Sequence, residues 1–155
     1  VTTTSSPRTR ADYEREIAKC AASRSYFVNN YVCIFDAQAA AWIPFELWRE
    51  QTMMLRAFDL YLLIVALKAR QLGITWLCLG GDILWSMLFR PKAVALIFSK
   101  RDDEAMYLLG DERLKGMYLH LPEWMQARRI TVDSAHQFAI SNGSIAYAFP
   151  TTGGD

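Results

Sequence analysis

The chain has 155 residues and carries 17 Lys and Arg against 16 Asp and Glu, for a formal net charge of +1. Hydrophobic residues make up 52% and charged residues 21%, which excludes a disordered chain and fits one domain large enough to bury a core. Cys20, Cys33 and Cys78 are odd in number and not closely spaced, which excludes a disulfide scaffold and suits a reducing compartment; the near-zero charge leaves any nucleic-acid partner to be met by a local patch.

Residues 1–10 are polar, Thr- and Ser-rich, and read as frayed, with no apolar stretch of signal-peptide kind. Val1 stands where an initiator Met would, and residues 151–155 form a turn-like cluster; both features suggest a piece of a longer protein. A mixed-charge helix is expected over 12–23, so that 1–25 reads as a polar segment with a helix and 26–155 as the main domain. The aromatic and β-branched stretch 26–35 suggests a short strand at 31–35. Pro44 suits a first helical turn, and Phe45, Leu47, Trp48, Met53, Met54, Leu55 and Phe58 follow at helical spacing.

Residues 60–67 (LYLLIVAL) and 93–98 (AVALIF) are short apolar runs of the kind expected for strands buried on both faces of a parallel sheet. Between them, 75–89 is apolar nearly all round and predicts a buried helix closed by Arg90 and Pro91. The stretch 72–89 is long enough to be tested as a membrane span, but Asp82 at its centre, with Thr75 and Ser86, argues against one. Gly80 and Gly81 inside this helix imply close packing, expected to be onto the sheet. Ser99 or Asp102 can cap a helix to about 109, with Asp102, Asp103 and Glu104 at its positive end. Another helix is expected around 112–120, ending before Pro122. Strands at 130–132 and 137–141 precede the Asn142-Gly143 turn and a returning strand at 144–149. This order predicts an α/β fold with a mainly parallel central sheet flanked by helices.

The chemistry sits in 67–75, LKARQLGIT, between an expected strand and an expected helix. Unpaired N–H groups at such a helix start favour an anion, a Thr in the first turn can ligate Mg²⁺, and nearby cations can meet phosphate charge. Against the pattern GxxxxGK[ST], Gly73 and Thr75 fill the second Gly and the hydroxyl positions. Ile74 takes the Lys position, Lys68 the first Gly position, and Arg70 lies within the loop. The positive charge has therefore moved to the front, from where a long Lys stem can still reach a phosphate. Upstream, 42–51 (WIPFELWREQ) offers Phe45 or Trp48 to stack on a purine and Gln51, whose amide can both donate to and accept from an adenine edge. Each stretch also has a plain reading: a strand-to-helix turn with solvated cations, and an amphipathic helix with a surface Gln.

Together with SKRDDEA (99–105), RLKGMYLHLPEWMQ (113–126) and the closing hairpin with FPTT, these stretches resemble the ATPase domain of the large terminase subunit, the DNA-packaging motor of tailed bacteriophages. The front-loaded Lys of KARQLGIT is the most specific part. The resemblance runs from about residue 26 to the end of the chain. It implies an additional-strand P-loop NTPase that uses ATP and Mg²⁺ to drive double-stranded DNA into a preformed procapsid in the host cytoplasm. Portal protein and small terminase subunit would be its partners, and a homo-oligomeric ring its assembly. Carried over, Gln51 would read adenine beside Phe45 or Trp48. Lys68 and Arg70 would meet phosphates, with Gln71, Leu72, Gly73 and Ile74 completing the loop, and Thr75 would ligate Mg²⁺.

The strand ending in Asp-Glu that such ATPases need for turnover is not among these residues; YVCIFD ends in Asp but precedes the loop and continues with Ala37. The expectation is therefore nucleotide binding with poor turnover. Rival readings are a helicase-like ATPase, which usually keeps Lys beside Ser/Thr, and a degenerate P-loop domain serving assembly. Ser99, Lys100 and Arg101 lie past a strand end, where α/β folds bind ligands. His120 and His136 lack ligand spacing, and Cys78 reads as core packing.

Overall fold

The computed structural model describes residues 9–69, 71–126 and 128–151. Helix α1 (Arg10–Ala22) opens on a capping box in which Thr9 and Asp12 satisfy each other's backbone N–H. Ser23 closes α1 and caps α2 (Arg24–Tyr31), accepting from the Tyr26 N–H. A local cap thus sets 24–31 as helix, and the short strand expected at 31–35 is found at Cys33–Asp36 (β1). It pairs antiparallel with β2 (Ala41–Pro44), so Pro44 ends a strand instead of opening a helix. Helix α3 begins later and covers Arg49–Leu60.

One helical path then runs from Ile74 to Phe89: α4 (Ile74–Leu77), a π-helical stretch (Cys78–Leu84) and α5 (Trp85–Phe89). Strand β3 (Val94–Ser99), helices α6 (Asp102–Leu109) and α7 (Leu114–Leu119), and strands β4 (Ile130–Asp133), β5 (Gln137–Ile140) and β6 (Ile145–Pro150) complete the order. The acids Asp102, Asp103 and Glu104 fill the first turn of α6 as expected, but Arg101 occupies its N-cap without a side-chain cap bond. The four-stranded sheet runs β3-β6-β5-β4. Only β3 and β6 are parallel, while β5 pairs antiparallel with β6 and with β4. The fold is α/β, as expected, but its sheet is mixed, because the Asn142-Gly143 hairpin forces β5 and β6 to oppose each other.

The core gathers Phe27, Val28, Leu55, Leu77, Leu84, Met87, Leu114, Met117, Phe138 and Ile140, all fully buried. The two glycines of the π stretch pack among helices, which corrects the expected contact with the sheet. A Cβ at Gly80 would lie 2.6 Å from Met117 Cε, and one at Gly81 2.5 Å from Leu55 Cδ2. No described helix is long and apolar enough to cross a membrane.

The largest departure concerns 60–67. No described strand pairs with it; Leu62 and Leu67 are fully exposed, and Leu63 and Val65 nearly so. An apolar run forms a buried strand only where neighbouring strands supply hydrogen bonds and cover, and none does here. Strand β3 also buries one face only, leaving Val94, Leu96 and Phe98 exposed.

Candidate functional site

The loop before α4 is shaped by two left-handed residues, Gln71 (φ +62°) and Gly73 (φ +66°). For Gln71 this conformation costs about 1–2 kcal/mol. At Gly73 there is a second constraint, because a Cβ there would lie 3.0 Å from Gln51 Nε2. Gly73 is the N-cap of α4, and its carbonyl accepts from the Leu77 N–H at 3.0 Å. The N–H groups of Ile74, Thr75 and Trp76 therefore lie in the unpaired first turn.

Gln51 is 4% exposed. Its Nε2 donates to the Leu72 carbonyl and its Oε1 accepts from the Trp48 N–H, both at 3.0 Å. The side chain expected to read a base is thus a strut between α3 and the loop, with one donor and one acceptor site left over. The adjoining segment is fixed as well: the Phe45 N–H donates to Val32 O and the Leu47 N–H to Asn29 Oδ1, each at 2.9 Å. Gln51→Leu is expected to destabilise the fold by about 1–2 kcal/mol in urea denaturation, since Trp48 N–H and Leu72 C=O lose their partner, and to speed amide exchange in 71–73.

Two cavities meet at this loop. One, of about 440 Å³, is lined by Lys68, the loop from Gln71 to Thr75, Trp76, Ser99, Glu104, Tyr107 and Arg113. The other, about 790 Å³, is lined by Phe35, Phe45, Trp48, Gln51, Trp76 and Arg113 among others. Gln71, Leu72, Gly73, Trp76 and Arg113 border both. The smaller cavity carries Lys68, the helix start and the exposed Thr75; the larger has aromatic walls and the dimensions of a small-molecule site.

The Lys68 Nζ touches the Ala69 carbonyl at 3.4 Å. Its charge is felt at Cys78: burial, then Asp82, pushes that thiol up, while Lys68 pulls it down. Ser99 donates to Glu104 Oε2 at 2.9 Å. Among the described residues no group of His, Cys, Asp or Glu could hold a metal by itself. The single hydroxyl of Thr75 suits Mg²⁺ only as an ion carried largely by phosphates, the usual manner of that cation.

The structure thus brings Lys68, Gln71, Leu72, Gly73, Ile74 and Thr75 to one cavity, and Phe45, Trp48 and Gln51 to the adjoining one. Arg70 lies outside the described residues. Trp76, Tyr107 and Arg113 were not singled out by sequence reasoning. They come from α4 and, far from it in the chain, from α6 and the turn before α7, and no local pattern marks them.

No family model and no curated protein matches the chain.

Proposed function

We propose that the chain is the nucleotide-binding part of a DNA-packaging ATPase of the large-terminase kind, built on a P-loop NTPase fold. The observation that carries this reading is the division of the site by one glycine loop. An aromatic cavity lies on one side, and on the other a cavity with a lysine, a first-turn hydroxyl and unpaired helix N–H groups. A purine nucleotide has this bipartite chemistry, with a flat stacking base and an anionic tail.

In this reading the base rests against Trp48 and the edge of Phe45. Gln51 shapes the loop and offers its remaining donor and acceptor to adenine. The tail lies along the N–H groups of Ile74 and Thr75, with Gly73 permitting close approach, and Lys68 and Arg70 neutralise it. Thr75 shares a phosphate-bound Mg²⁺. The ion, when bound, supplies charge neutralisation across the phosphates. Work on double-stranded DNA, contacts with portal protein and small subunit, ring assembly and docking on the procapsid belong to the same proposal and rest on the resemblance of the LKARQLGIT and WIPFELWREQ stretches.

Calorimetric titration with Mg-ATP tests it. The wild-type chain is expected to bind, and Lys68→Ala to bind at least about tenfold more weakly, as loss of a charge-assisted phosphate contact requires. Equal affinities would remove Lys68 from the phosphate site, and absence of binding by the wild type would overturn the reading.

A further inference from the structure

Arg113 precedes α7 and is half-buried. Its guanidinium carbon lies 4.1 Å from the centroid of the Trp76 ring and 4.4 Å from that of Tyr107. Its Nη1 donates to the Glu112 carbonyl at 2.9 Å, and among the described residues it forms no ion pair. Aromatic contact on the flat face of a guanidinium holds its orientation and removes water while leaving the N–H edge for hydrogen bonding. A cation so held and without a carboxylate partner is suited to an anion.

Its position specifies which anion. Arg113 borders both the aromatic and the Lys68-lined cavity, as do Gln71, Leu72, Gly73 and Trp76. Lys68 borders the second cavity and not the first. A nucleotide with its base in one cavity and its terminal phosphates in the other passes the border to which Gly73 and Arg113 both belong with its sugar and first phosphate. Building on the nucleotide reading above, we infer that Arg113 is the contact for the phosphate nearest the sugar. It therefore serves nucleoside di- and triphosphates alike, whereas Lys68 serves the end of the tail.

The test is competitive displacement of a fluorescent ATP analogue from the wild type, Arg113→Gln, Arg113→Lys and Lys68→Ala by ATP, ADP and adenosine, the last at millimolar concentration. Arg113→Gln is expected to weaken ATP and ADP by the same factor, roughly tenfold to a hundredfold, to leave adenosine unchanged, and to be partly rescued in Arg113→Lys. Lys68→Ala is expected to weaken ATP more than ADP. An ATP-to-ADP affinity ratio that changes in Arg113→Gln would move its contact to the terminal phosphates and overturn the inference. Loss of adenosine binding in step with ADP would reduce Arg113 to a support for Trp76 and Tyr107, also overturning it. Failure of the wild type to bind the ATP analogue would instead defeat the nucleotide reading itself.

Discussion

Gly116→Ala is expected to destabilise the protein by about 3 kcal/mol or more, near the upper end for overpacking. The added Cβ would stand 1.9 Å from the Asp111 carbonyl oxygen and 2.4 Å from Trp42 Cζ2. The first neighbour is backbone and the second is a rigid ring, so neither can swing aside cheaply. Trp42 is also the centre of an aromatic group. It stacks on His120 with centroids 4.2 Å apart and meets Phe35 and Trp76, both of which line the larger cavity. The substitution should therefore lower the urea midpoint and change the near-ultraviolet circular dichroism together. Gly110→Ala supplies the control: its Cβ would meet the Tyr107 carbonyl oxygen at 3.4 Å, which is close to an ordinary contact, and a loss below about 1 kcal/mol is expected. Comparable losses in the two variants would show that crowding at Trp42 is not the cause.

Arg24→Met should cost about 2–4 kcal/mol. Arg24 is 3% exposed. Its Nε donates to Asp59 Oδ1 at 2.6 Å, and its Nη1 to the Gly81 carbonyl at 3.0 Å and to Asp82. The guanidinium also lies 4.2 Å from the Trp85 ring centroid. One side chain of α2 thereby joins the end of α3 to the π stretch. Asp59 and Asp82 are about half exposed and can rehydrate when the arginine goes, which lowers the cost from the full value of a buried pair. The Gly81 carbonyl loses a buried donor, and that loss dominates. Equilibrium unfolding in urea measures the difference. A change within 0.5 kcal/mol, typical of surface substitutions, would show that Met replaces the arginine by packing alone.

Much of the second half was legible from local signals. Asn142-Gly143 marks a hairpin wherever it lies between apolar runs, and β5 and β6 follow from it. The acids of α6 sit at the end of the helix that the dipole favours. The 75–89 helix was legible from its apolar length, but its π stretch was not, since no composition signals the wider turn. The first half was less legible. The run 60–67 has every intrinsic preference of a strand, yet strand formation is a property of pairs and the described chain offers it no partner. The helix over 24–31 was not legible because its start is set by the Ser23 cap, while the strand expected at 31–35 follows it at Cys33–Asp36. Within the site, Gly73 and Thr75 were readable because the loop's spacing states their geometry. The strut from Gln51 to Leu72 and the border formed by Arg113 depend on segments that meet only after folding.

The wide turn of Cys78–Leu84 has a consequence for how this region tolerates changes in length. Thr75 precedes it and Trp85, which donates to the Cys20 carbonyl at 2.8 Å, follows it. An α-helix advances about 100° per residue, and π segments commonly accommodate one extra residue within such a helix. Removing one residue within the π stretch would let it tighten to α geometry with both ends still in register, whereas removing one from the α-helical turns on either side would swing the loop end around the axis by that angle while the Trp85 end stayed seated. The π stretch is therefore the part of this path that can lose a residue while the Thr75 hydroxyl keeps its aim, and the α-helical turns beside it are not.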